Sequence, residues 1–227
     1  MWQNKFFMKK KNSTDKGLAQ IEEGLSKTEQ FIEKNNRPII LIASGIVLLI
    51  ILIFTVKGCE TEKNEQSLND LLDIQQAFDK NQFQKVLELD SIFQTKHSNS
   101  AGSNLSKYYV GISYYKLENY ANSIETLDNF NSNDPILQST ALLTIGDAFS
   151  ELDQPNDAII YYKKALKTSS NNLTSPIALQ KCARIYEMLE KYTDAIECYQ
   201  IIKNDYPESK YAENIDKYIN KIINEKN

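Results

Sequence analysis

Helix-breaking residues are scarce in this sequence: 227 residues hold 7 Gly and 5 Pro, which leaves long stretches free to run as helix. Histidine is scarcer still. The only one, His97, sits in TKHSNS with no Cys or carboxylate pattern around it, so it offers no recognisable metal site or nucleophile pair and reads as a solvated loop residue. A glycine-rich phosphate loop is also missing, because Gly111 and Gly146 are isolated residues inside helical stretches. The three cysteines, Cys59, Cys182 and Cys198, are too few and too odd in number for a disulfide framework. Two readings stay open for Cys182 and Cys198. They are core thiols or, in an oxidising compartment, a bridge, since they lie equidistant from a turn near Glu190 on neighbouring antiparallel helices. No catalytic residue, metal site, cofactor or small-molecule substrate is expected.

A basic surface is lacking as well. The formal charge is −4, and its distribution is uneven: residues 1–37 carry 8 Lys/Arg against 5 Asp/Glu, whereas residues 57–227 carry 18 against 25. The larger, acidic part repels phosphates, so nucleic acid is excluded as a generic partner.

There is one long hydrophobic run. Ile39 to Val56 reads IILIASGIVLLIILIFTV without a charge, between Arg37 and Lys57. As a helix it spans about 27 Å, close to a hydrocarbon core, and Pro38 suits a helix start. A transmembrane helix over 38–57 is expected. The 38 residues upstream argue against a cleaved signal peptide. Val56-Lys57-Gly58-Cys59 resembles the end of a lipoprotein signal, which Lys57 fits poorly, so modification of Cys59 stays open. Lys27, Lys34 and Arg37 precede the run closely, with Lys5, Lys9, Lys10, Lys11 and Lys16 beyond, and this bias puts the N-terminus in the cytoplasm. Within residues 1–37, Leu18, Ile21, Leu25 and Ile32 recur at helical spacing, which predicts a short amphipathic helix that lies on the bilayer or docks on a membrane partner. The Met8-Lys9-Lys10-Lys11 run raises Met8 as an alternative start to Met1.

After an acidic connector, 58–66, the sequence repeats. YYVGISYYKLENYANSIETL from Tyr108, LTIGDAFSELDQPNDAIIYY from Leu143 and QKCARIYEMLEKYTDAIECY from Gln180 superpose without gaps. Small residues fall at Gly111, Gly146 and Ala183, aromatics at Tyr114, Phe149 and Tyr186, and small residues again at Ser123, Ala158 and Ala195. Both small sets shift by 35 and then 37 positions, so each copy is a rigid two-helix unit and length variation lies between units. A weaker copy runs from about Ser67 to Ser98, with Ile74 replacing the first small residue and looser packing expected. The final stretch, 210–227, puts Tyr211, Ile215, Tyr218, Ile219 and Ile222 on one face of a single capping helix.

These copies resemble the tetratricopeptide repeat (TPR), with Pro135 and Pro207 near unit ends. The resemblance implies an all-α fold: a single transmembrane helix, then a TPR-like right-handed solenoid of about four hairpins over 67–209, then the cap. It also implies that first helices line a concave, protein-binding groove. The lining would be Leu68, Leu71 and Phe78, then Tyr108, Ile112 and Tyr115, then Leu143 and Asp147, then Arg184, Glu187 and Met188. The same side chains would also serve as packing, and both readings stay open. Tyr108 and Ile112 stand where TPR domains that hold a chaperone's C-terminal carboxylate need polar residues. The order of parts, with TEQFIEKN running into the span, is similar to the YfgM-type ancillary subunit of the SecYEG translocon. That likeness implies an inner-membrane, periplasm-facing adaptor that works with SecYEG, a PpiD-type membrane-anchored partner and exported clients. The alternative is a structural envelope-assembly scaffold, possible as a lipoprotein, unrelated to secretion.

Overall fold

In the computed structural model, residues 25–26, 34–168 and 170–226 are described, and every regular element among them is helical. The helices are α1 (Asn36–Asp70), α2 (Leu72–Asp79), α3 (Phe83–His97), α4 (Ala101–Lys116), α5 (Tyr120–Asp128), α6 (Pro135–Glu151), α7 (Pro155–Thr168), α8 (Ser175–Met188), α9 (Tyr192–Asp205) and α10 (Ile215–Lys226). The chain divides into two compact units, Met1–Thr61 and Glu62–Asn227.

The described part of the first unit is mainly α1. Its described apolar residues from Leu41 (72%) through Leu48 (66%) to Phe54 (73%) are exposed all round the helix. The hydroxyls of Ser44 and Thr55 are turned inward on their own helix, each donating to a carbonyl three residues back at 2.9 Å. The side chains of Ile39, Ile40, Ala43 and Val56 lie outside the described residues, and among those described no helix is long and apolar enough to cross a membrane. The amphipathic helix expected in residues 1–37 falls outside the described residues, apart from Leu25 and Ser26 and the residues from 34 on. The start at Met1 or Met8 and the Cys59 side chain fall outside them too. Residues 58–66, set apart above as a connector, are helical and belong to α1.

In the second unit, capping chemistry sets the boundaries. Asp134 accepts from the backbone N–H of Ile136 (2.8 Å) and Leu137 (3.2 Å) at the start of α6, with Pro135 as its first residue. Ser100 does the same for α4, accepting from Ser103 N–H at 3.1 Å. Within each hairpin the turn is built one way four times. Asn81, Glu118, Asp153 and Glu190 sit at φ 56°, 59°, 55° and 56°, the left-handed region. The next residue's N–H then reaches five residues back: Gln82 to Ala77 O (2.9 Å), Asn119 to Tyr114 O (2.8 Å), Gln154 to Phe149 O (2.9 Å) and Lys191 to Tyr186 O (2.8 Å). This is the Schellman ending of a helix, and it delivers the chain into the second helix of the pair.

The hairpins α2–α3, α4–α5, α6–α7 and α8–α9 stack in chain order, each helix packing on the next, and the first helices α2, α4 and α6 also touch in sequence. The last turns of α1 are joined to the second hairpin by small residues. Gly102 N–H donates to Ser67 Oγ at 3.1 Å, and a Cβ on Gly102 would fall 2.6 Å from the Ser67 carbonyl oxygen. Ile74 is fully buried in the first hairpin's core with Val86 and Phe93. At the other end α10 covers α9, with Ile215 and Ile222 at 1% and 0% exposure. The cap begins later than the sequence suggested: Tyr211 lies in the turns that precede α10, where Asn214 (φ 63°) breaks the helix.

Candidate protein-binding face

The small residues at repeating positions admit large ones from the second helix of the same hairpin. A Cβ on Gly111 would sit 2.4 Å from Leu127 Cγ, and one on Gly146 would sit 2.4 Å from Tyr162 Cε1. Ser123, Ala158, Ala183 and Ala195 have no exposed surface, and Ser123 Oγ donates to the Gly111 carbonyl at 2.8 Å. With the two helices locked at this distance, the first helices come side by side: α2 touches α4, α4 touches α6, and Lys181 of α8 reaches Asp147 of α6, so that their outer edges together make up one strip.

Two carboxylates anchor that strip, each held from two sides. Asp147 on α6 accepts from Tyr162 Oη of its own hairpin at 2.8 Å and pairs with Lys181 Nζ of α8 at 2.7 Å. Glu187 on α8 accepts from Tyr199 Oη at 2.6 Å, with Lys221 Nζ of α10 at 3.9 Å from its other oxygen. Tyr199 in turn stacks on Tyr218 of α10, ring centroids 5.5 Å apart. Burial pushes the Tyr162 and Tyr199 phenols well up, and the adjoining carboxylates push them further. Tyr115 is raised to about 12, by burial first and then by Asp147 and Glu151. The Tyr162 and Tyr199 phenols stay protonated as donors, which fixes Asp147 and Glu187 in place. Towards the first hairpin the strip turns aromatic. Phe78 meets Tyr109 edge-on at 5.2 Å, and Tyr108 touches Tyr109 (5.7 Å) and Phe130 (5.4 Å).

The lining proposed from sequence divides accordingly. Phe78, Tyr108, Tyr115, Asp147 and Glu187 are half-buried on the strip; Arg184 is exposed, and Met188 is 70% exposed. Leu71, Ile112 and Leu143 do not line a groove, being 3%, 9% and 6% exposed in the hydrophobic cores. Ile112 occupies the position of Asp147 one repeat earlier. An apolar side chain there is closed over by neighbouring helices, whereas the carboxylate stays at the surface with its two donors. Leu68 is exposed on the last turn of α1. Tyr109, Tyr162, Lys181, Tyr199 and Lys221 were not singled out. The recurrence of Tyr162 and Tyr199 after 37 residues was the available signal, and only the fold pairs them with Asp147 and Glu187.

His97 differs from its sequence reading. It ends α3, is 5% exposed, places Nε2 2.7 Å from Asp70 Oδ2 and packs on Phe93. Cys182 and Cys198 are free and buried, so the bridge is not formed. Burial foremost pushes their thiols up to about 12 and about 11, which disfavours the reactive thiolate. No cluster of three or more metal-ligating side chains occurs among the described residues.

Residues 139–172 match one tetratricopeptide repeat family and residues 178–209 another. No curated protein matches the chain. The two matched segments coincide with the third and fourth hairpins. The chain therefore contains tetratricopeptide repeats, a build that indicates a protein–protein interaction adaptor.

Proposed function

We propose that this tetratricopeptide-repeat chain is a non-catalytic adaptor, tethered to a membrane through residues 38–57, that holds a segment of another protein on its first-helix strip. The observation that carries the reading is the ladder of clamped carboxylates across α6, α8 and α10. It presents Arg184 and Met188 beside fixed charges and leads into a half-buried aromatic patch. Such a mixture suits an extended or helical peptide, with apolar side chains on the aromatics and polar groups met by Arg184 and Lys181. A rigid, pre-formed surface lowers the ordering cost on binding.

The tether is supported by the uncharged run and by the exposed aliphatic side chains that surround α1, a pattern costly in water and natural in lipid. The basic bias before the run orients the N-terminus to the cytoplasm and the repeats to the far side, the periplasm of an inner-membrane protein. The finer reading rests on the order of parts in the sequence: an accessory subunit beside a SecYEG-type translocon, with a PpiD-type partner, passing exported clients to chaperones.

The test is purification of the full chain from mild detergent with mass spectrometry of co-purifying proteins and of the mature N-terminus. Translocon and chaperone subunits, with a chain that keeps residues upstream of 38, are the expected outcome. A mature chain that begins at acylated Cys59 would instead select the lipoprotein scaffold. Loss of no partner on Arg184→Ala with Met188→Asp would refute the strip as the binding face.

A further inference from the structure

Among the described residues, a helix closes the stack of hairpins at one end only. At the C-terminal end α10 buries Ile215 and Ile222 over the last hairpin. At the other end α2 and α3 pack on each other and on α4. The side of α3 turned to α4 is marked by Gln94, whose Nε2 donates to Ser106 Oγ at 2.8 Å and whose Oε1 accepts from Ser103 Oγ at 2.6 Å. Ile92 and Lys96, two residues to either side of Gln94, are about 200° away round the helix and look outward. Between them and the preceding helix runs an open cleft. Asp70 and Asp73 form one wall and Lys96 the other, over a floor of Leu89, Ile92 and Phe93, with Ile92 59% exposed. The cleft continues past Asp73 and Leu89 towards the α2–α3 turn, where both sides carry a lysine, Lys80 after α2 and Lys85 on α3, so the opposition of charge is confined to the end that holds Asp70, Asp73 and Lys96.

We infer that this face is an interface between two copies of the chain, paired about a two-fold axis that runs along the hairpin. The face is self-complementary. Rotation about such an axis preserves height along the hairpin and exchanges its walls, so each copy's α2 lies over the other's α3. Lys96 and Asp70 are at one height, because the adjoining His97 touches Asp70 at 2.7 Å. The acidic wall of one copy therefore meets the basic wall of the other, and Ile92 and Leu89 close the centre. Residues 57–227 carry seven more acidic than basic residues, so two copies repel each other generally, and here opposite signs meet. The apolar patch is small and the ion pairs are exposed, so the association is weak in dilute solution, and confinement to a membrane favours it. Closed two-fold pairing is the commonest way such a patch is satisfied.

The experiment uses the full chain, labelled at its N-terminus with a donor or an acceptor fluorophore and reconstituted in phosphatidylcholine vesicles at a fixed protein-to-lipid ratio. The native chain should show energy transfer above that of an unlabelled-dilution control. Asp73→Lys alone and Lys96→Glu alone should each lower it about threefold, and Ile92→Glu should do the same. Mixing the Asp73→Lys chain with the Lys96→Glu chain should restore it, because the mixed pair has opposite charges at both walls. Transfer at the control level in the native chain, indifference to the single changes, or a mixture as low as its components would each overturn the interface. Restoration on mixing also separates a lost contact from a misfolded variant. The first-helix strip plays no part in the readout, so failure here leaves the adaptor reading standing.

Discussion

Replacement of Gly146 by Ala tests the hairpin register most directly, because two opposed effects of known size meet at that residue. Mid-helix, Ala is favoured over Gly by up to about 1 kcal/mol. Against this, the new Cβ would lie 2.4 Å from Tyr162 Cε1 and 2.6 Å from Cδ1, whereas ordinary carbon contacts lie near 3.5–4.0 Å. The ring would have to shift by more than an ångström. It is 2% exposed, and its hydroxyl is tied to Asp147 at 2.8 Å, so it has little room to move. Overpacking of this kind costs about 1–3 kcal/mol, which leaves Gly146→Ala destabilising by about 0–2 kcal/mol. The decisive measurement is a double-mutant cycle with Tyr162→Ala, following urea unfolding by far-UV circular dichroism. With the ring removed, the same Gly146→Ala change should stabilise by a few tenths to about 1 kcal/mol. A coupling of about 1–3 kcal/mol between the two positions is therefore expected. Equal effects of Gly146→Ala in both backgrounds would refute the close packing of Gly146 on Tyr162 and with it the repeat register.

Three further outcomes are expected. Glu118 and Glu190 occupy left-handed turn positions that cost an ordinary residue about 1 kcal/mol, so Glu118→Gly and Glu190→Gly should each stabilise by up to that amount in the same urea assay. A loss of stability in both would contradict the turn geometry. Above neutrality, stability should fall with pH: Cys182 and Cys198 have folded values of about 12 and about 11 against 9.0 unfolded, and Tyr115 about 12 against 10.0. Groups raised on folding contribute stability that is whole below the unfolded value and is lost as pH climbs towards the folded one. The decline should therefore begin near pH 9, and the double change Cys182→Ser with Cys198→Ser should move its onset towards pH 10. An unmoved onset would show that the thiols are not buried. Finally, Lys181→Ala should leave the unfolding free energy within about 1 kcal/mol, as an ion pair still partly open to water contributes little, yet lower capture of whichever partner co-purifies with the native chain. Unaltered capture would argue against a role for the ladder in binding.

Much of the fold was legible in the sequence because helical repeats are local objects. The small residues Gly111, Gly146 and Ala183, with Ser123, Ala158 and Ala195, recur at fixed offsets, and each hairpin closes within about thirty residues, so periodicity alone marks the helices and their partners. Of the turn positions only that near Glu190 was marked, and the left-handed backbone shared by Asn81, Glu118, Asp153 and Glu190 was not foreseen: Asn and Asp favour it only weakly and Glu does not, so position between two helices is the main signal.

The site was less legible, because whether a residue on a first helix reaches the surface depends on what the neighbouring hairpin places over it. Leu71, Ile112 and Leu143 share positions with surface residues in other repeats and are nevertheless buried. His97 looks like a loop residue in sequence and becomes a buried helix end, because the fold brings Asp70, 27 residues away, to within 2.7 Å. The sequence by itself determined the hairpins, their order and the one long apolar run, all written in spacings of a few residues. Tertiary structure alone decided which carboxylates face outward, each held by a tyrosine hydroxyl and a lysine, and which end of the stack no helix among the described residues caps. Those outcomes depend on distances between helices that no local pattern contains.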